Sequence, residues 1–431
     1  MSDRLKLVAA AAVLALFGAT PVLAAKKKAE PAVEENPACP KKYGKAFEKP
    51  FNEIQKARDA KNWAEMLAKT KEAAALPDEK NVYESYLIHE FQGVAYASLK
   101  QYNEAVPELA ASMESPCYPA AEKLTRTKVL MQLAYQSKDY GKAIEYGAKH
   151  YEATGDVDTG LYLGNAYYIK DDYPNTKKVM AEVIAKLEAN GTKPEESTYR
   201  ILQSACLQLQ DNECVSQLVE KLVAAYPKPE YWHNLIGTML QASKSDKEML
   251  NVLRLADGMN MMRDGSEYVE MANHALAQGL PGEAQTILEK GFKNNAYNLP
   301  RYKDQATRLL ADSKNAVTLD KSTLDKQDAS ARAKTTGDSD VKLGAAYLSY
   351  GMNDKAIEAL TRGIGKGSVK DPDEAGMLLG IAYLRTGKRD EAGKAFATVS
   401  KSPVLVRVAK FWMVDMTAAP AADRDAVAFN S

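Results

Sequence analysis

Between residues 45 and 400 the apolar side chains recur at i, i+3, i+4 and i+7 in helix-length stretches, and short turns containing Gly, Asp or Asn separate them in pairs. A turn that short reverses the chain, so the predicted unit is two amphipathic helices folded back on each other. Small residues hold a fixed place in that unit. Gly93, Gly164, Gly344 and Gly380 are each followed three residues on by a tyrosine: Tyr96, Tyr167, Tyr347 and Tyr383. Ala105, Ala356 and Ala392 stand twelve residues after Gly93, Gly344 and Gly380, Thr176 takes that place after Gly164, and Ala272, Ala275 and Ala284 fit the same frame. A glycine inside a helix costs roughly 1 kcal/mol relative to alanine, so glycines at this position need compensation. Close approach of the second helix supplies it, with Leu109, Met180, Leu288, Leu360 and Phe396 expected to pack there and the tyrosines to fill the space beside them.

Marking the same position along the chain gives Ile54, Gly93, Met131, Gly164, Gln203, Gly237, Ala272, Gly344 and Gly380, at intervals of 39, 38, 33, 39, 34, 35, 72 and 36 residues. Since 72 is twice 36, one degenerate unit is hidden near Tyr302 to Lys334, making about ten hairpins. In this spacing, and in its small and aromatic positions, the chain resembles the tetratricopeptide repeat family. The resemblance implies an all-α fold, a right-handed superhelical α-solenoid over residues 45–402, with a concave groove in which the family holds peptides or partner proteins. Carried over residue by residue, the groove positions are Lys128, Gln132 and Tyr135, then Asn165 and Tyr168, then Arg200, Ser204 and Gln208, and finally Tyr231, Asn234 and Gln241. The outer units carry mostly apolar residues at these places: Leu87, Val94, Val341, Leu348, Met377 and Ile381. Residues 403–417, with Val404, Leu405, Phe411 and Trp412 on more than one face, are expected to cap the last unit.

The flanks read differently. Arg4 and Lys6, the apolar run from Leu7 to Phe17, the breakers Gly18 and Pro21, and the small Ala24 compose a secretory signal peptide over residues 1–24. The first cysteine is Cys39, too late for a lipoprotein signal. Residues 25–44 carry a Lys run, Glu34-Glu35 and few large apolar side chains, which predicts a flexible leader, and residues 418–431 a fraying tail. Beyond the signal no apolar run approaches the ~20 residues that span a bilayer. The mature chain is therefore expected to be exported, without an integral membrane segment, and periplasmic if its source is Gram-negative.

Charge and chemistry narrow the function further. With 57 Lys+Arg against 57 Asp+Glu there is no electrostatic reason to bind nucleic acid. His89, His150, His233 and His274 stand apart, none at a metal-ligand spacing with Glu or Cys, so no metal, cofactor or catalytic residue is expected. Gly363-Ile364-Gly365-Lys366-Gly367-Ser368 lacks the phosphate-loop spacing and follows a helix, so it reads as a helix C-terminus. Cys206 and Cys214 lie four positions either side of a turn centred near Gln210, at similar height on neighbouring helices, where a disulfide can form. Two small buried thiols are the alternative for that pair, and Cys39 with Cys117 would form the second bond.

Binding is the function class that remains. The expected protein is a non-catalytic exported scaffold that takes protein or peptide partners of the cell envelope into its groove. The whole pattern is similar to the bacterial periplasmic tetratricopeptide proteins that accompany TonB-type energy-transduction or envelope-assembly systems. A carbohydrate-binding or enzymatic protein using the solenoid as a frame is the alternative, although Trp63, Trp232 and Trp412 are too separated in sequence to argue for a sugar platform. Exported protein should begin near Ala25 by intact mass; a soluble exported form retaining residues 1–24 would contradict the signal-peptide reading.

Overall fold

The computed structural model describes residues 37–414. The expected signal peptide, the expected leader up to residue 36, the last residues of the expected cap and the expected tail lie outside the described residues. Among the described residues there are twenty-one α-helices, one short 3-10 turn at Ala120–Glu122 and no strand. The chain forms two compact units, one ending at Val215 and one beginning at Ser216.

The first unit holds α1 (Lys45–Asp59), α2 (Trp63–Ala74), α3 (Val82–Ser98), α4 (Tyr102–Glu114), α5 (Lys123–Gln136), α6 (Tyr140–Thr154), α7 (Val157–Ile169), α8 (Tyr173–Ala189) and α9 (Glu196–Gln208), with the boundary falling inside α10 (Asn212–Ala225). From α1 to α9 each helix packs on the next, so that hairpins stack in sequence order. In the second unit follow α11 (Pro229–Ala242), α12 (Asp246–Gly258), α13 (Gly265–Ala277), α14 (Pro281–Lys293), α15 (Pro300–Lys321), α16 (Leu324–Ala333), α17 (Asp338–Ser349), α18 (Asn353–Lys366), α19 (Pro372–Arg385), α20 (Arg389–Phe396) and α21 (Pro403–Trp412).

Most hairpins turn in the same way. The turn residue with left-handed backbone is Lys61, Lys100, Lys138, Asp171 or Gln210 in the first five, and Gly279, Gly351 or Gly387 in three later ones. Each stands seven residues after the small position. The N–H of the following residue reaches back to the last turn of the first helix, as from Gln101 to the Tyr96 carbonyl at 2.8 Å and from Asp172 to Tyr167 at 2.9 Å. Asn62, Asp139 and Asp172 then cap the second helix, accepting from the N–H of Glu65, Lys142 and Asn175.

Inside the hairpin the small position touches a large side chain sixteen residues later. A Cβ added to Gly93 would lie 2.5 Å from Leu109 Cδ2, one on Gly164 2.8 Å from Met180 Cε, one on Gly344 2.5 Å from Leu360 Cγ and one on Gly380 2.6 Å from Phe396 Cδ1. The Met131 unit swaps the volumes, since Gly147 is on its second helix and a Cβ there would lie 3.2 Å from Met131 Sδ. Thr176, in the place of the usual alanine, is fully buried because its hydroxyl donates to the Asp172 carbonyl at 2.8 Å. Of the four tyrosines, Tyr347 is buried while Tyr96, Tyr167 and Tyr383 are half-buried. Gly237 departs from the pattern: a Cβ there would meet nothing within 4 Å.

Two elements differ from the sequence-based expectation. The degenerate unit is opened out: the 22-residue α15 packs on α14 and α13, whereas α16 packs on α17. The C-terminal helix does more than cap the last hairpin, for α21 seats chiefly on α12 and also touches α11, α19 and α20. Phe411 meets Trp232 edge-on at 5.8 Å, Gly258 leaves room for the Trp412 ring, and Arg407 pairs with Glu220 at 2.6 Å. The second unit thus closes on its own first hairpin.

The end of the leader is also tied down. Cys39 is buried in a disulfide with Cys117, Asn81 donates to the Lys42 carbonyl at 3.1 Å, and the Gly44 N–H donates to Glu84 at 2.8 Å. A covalent link and two hydrogen bonds offset the entropy that would otherwise keep so polar a segment free.

Gly380 and Gly237, both in the second unit, separate close contact from helix propensity. Gly380→Ala should lower the urea midpoint by the equivalent of about 1–3 kcal/mol, because the Phe396 ring must move, while Gly237→Ala should raise it by about 0.5–1 kcal/mol. Equal shifts for the two variants would remove the close-contact account.

Candidate partner-binding surface

In the first unit the predicted groove residues separate into surface and core. Lys128 on α5 pairs with Asp156, which also caps α7 by accepting from the Asp158 N–H at 2.9 Å. Asn165 turns its amide onto the Leu161 carbonyl at 2.7 Å, which leaves its carbonyl oxygen to accept. The Tyr168 hydroxyl meets Ser204 Oγ at 2.8 Å and so ties α7 to α9. Arg200 and Gln208 are exposed on α9, with Leu207 beside them at 57% exposure. A strip on α7 and α9 therefore offers an amide, a phenol, a hydroxyl, a guanidinium and one apolar side chain.

Three predicted groove residues are not on the surface. Gln132 and Tyr135 are 8% and 6% exposed, and Tyr231 is 4% exposed. Tyr135 is pinned edge-on between Tyr140 and Tyr162 at 5.4 and 5.0 Å. Tyr231 neighbours Trp232 on α11, and both fall within a buried arc wide enough to take adjacent residues. In the second unit Asn234 and Gln241 are exposed. The apolar positions of the outer units, Leu87, Val94, Val341, Leu348, Met377 and Ile381, are all buried.

Both cysteine pairs are bonded, Cys206 with Cys214 at a Cα–Cα distance of 6.0 Å and Cys39 with Cys117 at 5.0 Å. Three of the four histidines have local partners: His89 lies 2.7 Å from Glu108, His274 3.1 Å from Asp246, and buried His150 2.9 Å from Thr159 Oγ1. Among the described residues no group of His, Cys, Asp and Glu is placed to hold a metal ion, and no helix is long and apolar enough to cross a membrane.

Buried charge is the feature the sequence reading missed. Arg126 donates to Glu90 at 2.7 Å and to the Tyr118 hydroxyl at 3.0 Å, while Ser112 donates to the other Glu90 oxygen. In the second unit Arg254 forks onto both oxygens of Glu283 at 2.7 Å and reaches Glu374 at 3.3 Å. Burial works against the Glu283 carboxylate, yet Arg254 holds it below its ordinary pKa; at Glu374 burial prevails and the pKa rises. The signal was present in the chain as a charge flanked by apolar residues, Glu90 beside Phe91 and Arg254 between Leu253 and Leu255.

Helical hairpins, stacked in sequence order from α1 to α9 and in several cases closed by a small-against-large contact and the same left-handed turn, define an all-α helical-repeat architecture. Solved structures similar to this chain include a tetratricopeptide repeat protein from Parabacteroides merdae, at 11% identity over 79% of this chain and 99% of that one, with a TM-score of 0.30. Yeast Tom70 overlaps at 11% identity, 85% of this chain and 95% of its own, with a TM-score of 0.22, and the P58(IPK) tetratricopeptide domain at 11% identity, 85% and 96%, with a TM-score of 0.20. Overlaps this loose add nothing to the architecture, which rests on the chain's own helix order and packing. No family model matches the chain, and no curated protein does.

His150 supports the Lys128–Asp156 pair through Thr159, and its burial has a pH consequence. Burial lowers its pKa from 6.5, with Asp156 opposing and Lys128 reinforcing the shift. The unfolded chain takes up a proton near pH 6.5 that the folded chain refuses, so stability present above that pH is lost as pH falls through it. Stability of the first unit should fall as pH drops below about 6.5, and His150→Gln should flatten that fall. A slope that the substitution leaves unchanged would assign the acid sensitivity elsewhere.

Proposed function

We propose that this protein is an exported, non-catalytic scaffold that holds a peptide segment of another envelope protein on the α7–α9 strip of its first unit. The observation that carries the reading is the Tyr168–Ser204 contact between α7 and α9, with Asn165 one turn before Tyr168, Arg200 and Gln208 one turn either side of Ser204, and the exposed Leu207 next to Gln208. Arg200 suits a carboxylate, the Asn165 and Gln208 amides suit a peptide backbone, and Tyr168 with Leu207 gives apolar contact at small rotamer cost. Two disulfides suit an oxidising compartment, which supports export. The expected export signal, the continuous array and the stretch from Tyr268 to Ala284 are what suggest a setting among envelope-assembly or TonB-type energy-transduction systems, and Asn234 and Gln241 extend the candidate contacts in the second unit.

Affinity purification from the exported fraction tests this with two variants. Tyr168→Phe/Arg200→Glu, which removes one hydroxyl contact and reverses one exposed charge, should melt within about 1–2 kcal/mol of wild type and recover its peptide partner at least tenfold less. Gly380→Ala, which alters only a core contact of the second unit, should leave recovery unchanged while folded. Undiminished recovery by the Tyr168/Arg200 variant would sink the reading.

A further inference from the structure

The opened degenerate unit leaves a cleft in the second unit. One face of α16, carrying Lys326 and Ser330 and continued by the C-cap residue Lys334, borders Ser339 and Lys342 of α17 around about 390 Å³ of space, with Ala331 and Leu343 buried as its floor. Every charge in this lining is positive. Neighbouring cations on α16 and α18 are matched: Arg332 pairs with Asp328 and Glu358, Arg362 with Asp328 and Asp340, and Lys366 with Asp340. Lys326 and Lys342 have no such carboxylate among the described residues, and the Lys334 ammonium donates to the Ser339 hydroxyl at 2.9 Å.

Lys326, Ser330 and Lys334 follow one another at i, i+4 and i+8, a ridge rising ~6 Å per step along α16 to its C-cap. Three ammonium groups around one cleft repel each other, and negative charge placed among them relieves that repulsion. Lysine binds as a point charge and does not require the planar, bidentate geometry that arginine selects, and the two serine hydroxyls can donate to oxygen. The lining has no aromatic ring on which a nucleobase could stack, and its small apolar floor would seat little hydrophobic bulk. We propose that this cleft binds a polar, non-aromatic small ligand bearing two or more oxyanion groups, phosphate or carboxylate, that bridge neighbouring lysines. This site is independent of the α7–α9 strip and stands or falls without it.

Titration calorimetry of the mature chain with tripolyphosphate and with citrate, at matched ionic strength and with sucrose as the neutral control, tests the proposal. Saturable binding of tripolyphosphate or citrate at one site per chain is expected, weakening as salt rises, with none for sucrose. The stronger of the two probes identifies the phosphate or carboxylate source. Lys326→Gln/Lys342→Gln should weaken binding at least tenfold while the circular dichroism melt stays as in wild type, since both side chains are exposed. Should that variant unfold, Ser330→Ala/Ser339→Ala decides: a several-fold loss supports the site and unchanged affinity overturns it. Absence of saturable binding by both probes at millimolar concentration, or equal binding by wild type and the lysine variant, overturns it as well.

Discussion

Close approach of the two helices within each hairpin is the constraint on which the rest of this structure depends. A glycine there costs roughly 1 kcal/mol of helix propensity, whereas burying the large side chain opposite contributes about 1.5–3 kcal/mol. The exchange is favourable only while the small residue stays small. It also fixes register, because Gly93 can receive Leu109 only if the intervening turn has one length. That length recurs as a left-handed residue seven positions after the small one. Lysine, aspartate and glutamine occupy this strained position in the early hairpins at a cost of roughly 1–2 kcal/mol, and glycine relieves it in three later ones.

Buried charge then specifies which hairpin meets which. The apolar seat of α21 on α12 would tolerate some sliding, but the Arg254 fork would not. Arg254 lies on α12, Glu283 on α14 and Glu374 on α19, and a misplaced helix would leave a charge buried and unpaired, a loss of about 3–5 kcal/mol. Asn251 donates to Glu374 at 2.6 Å, and Lys247 pairs with Asp371 at 2.8 Å, so the same two helices are matched at three points. Glu90 and Arg126 do the equivalent within the first unit, between α3 and α5.

The two candidate binding surfaces arise in different ways. Tyr135 is drawn into the core by Tyr140 and Tyr162, and the polar strip begins beyond it on α7 and α9. The lysine cleft exists because α15 and α16 pack in opposite directions along the chain, leaving a polar helix face where another unit would place apolar contacts.

The local part of this architecture was legible in the chain. Helical period, the hairpin turns, the small-against-large pairing and the Cys206–Cys214 bond all join residues within about one hairpin of each other, where helix geometry alone sets the distances. Even the weak Met131 unit had its explanation in sequence, as a large residue answered by Gly147 sixteen positions on. Only the tertiary structure decided that Gln132, Tyr135 and Tyr231 are buried, that α21 returns to α12, and that Arg254 faces Glu374. Those outcomes depend on small rotations between successive hairpins that accumulate over many units, and no periodicity in the residues records their sum.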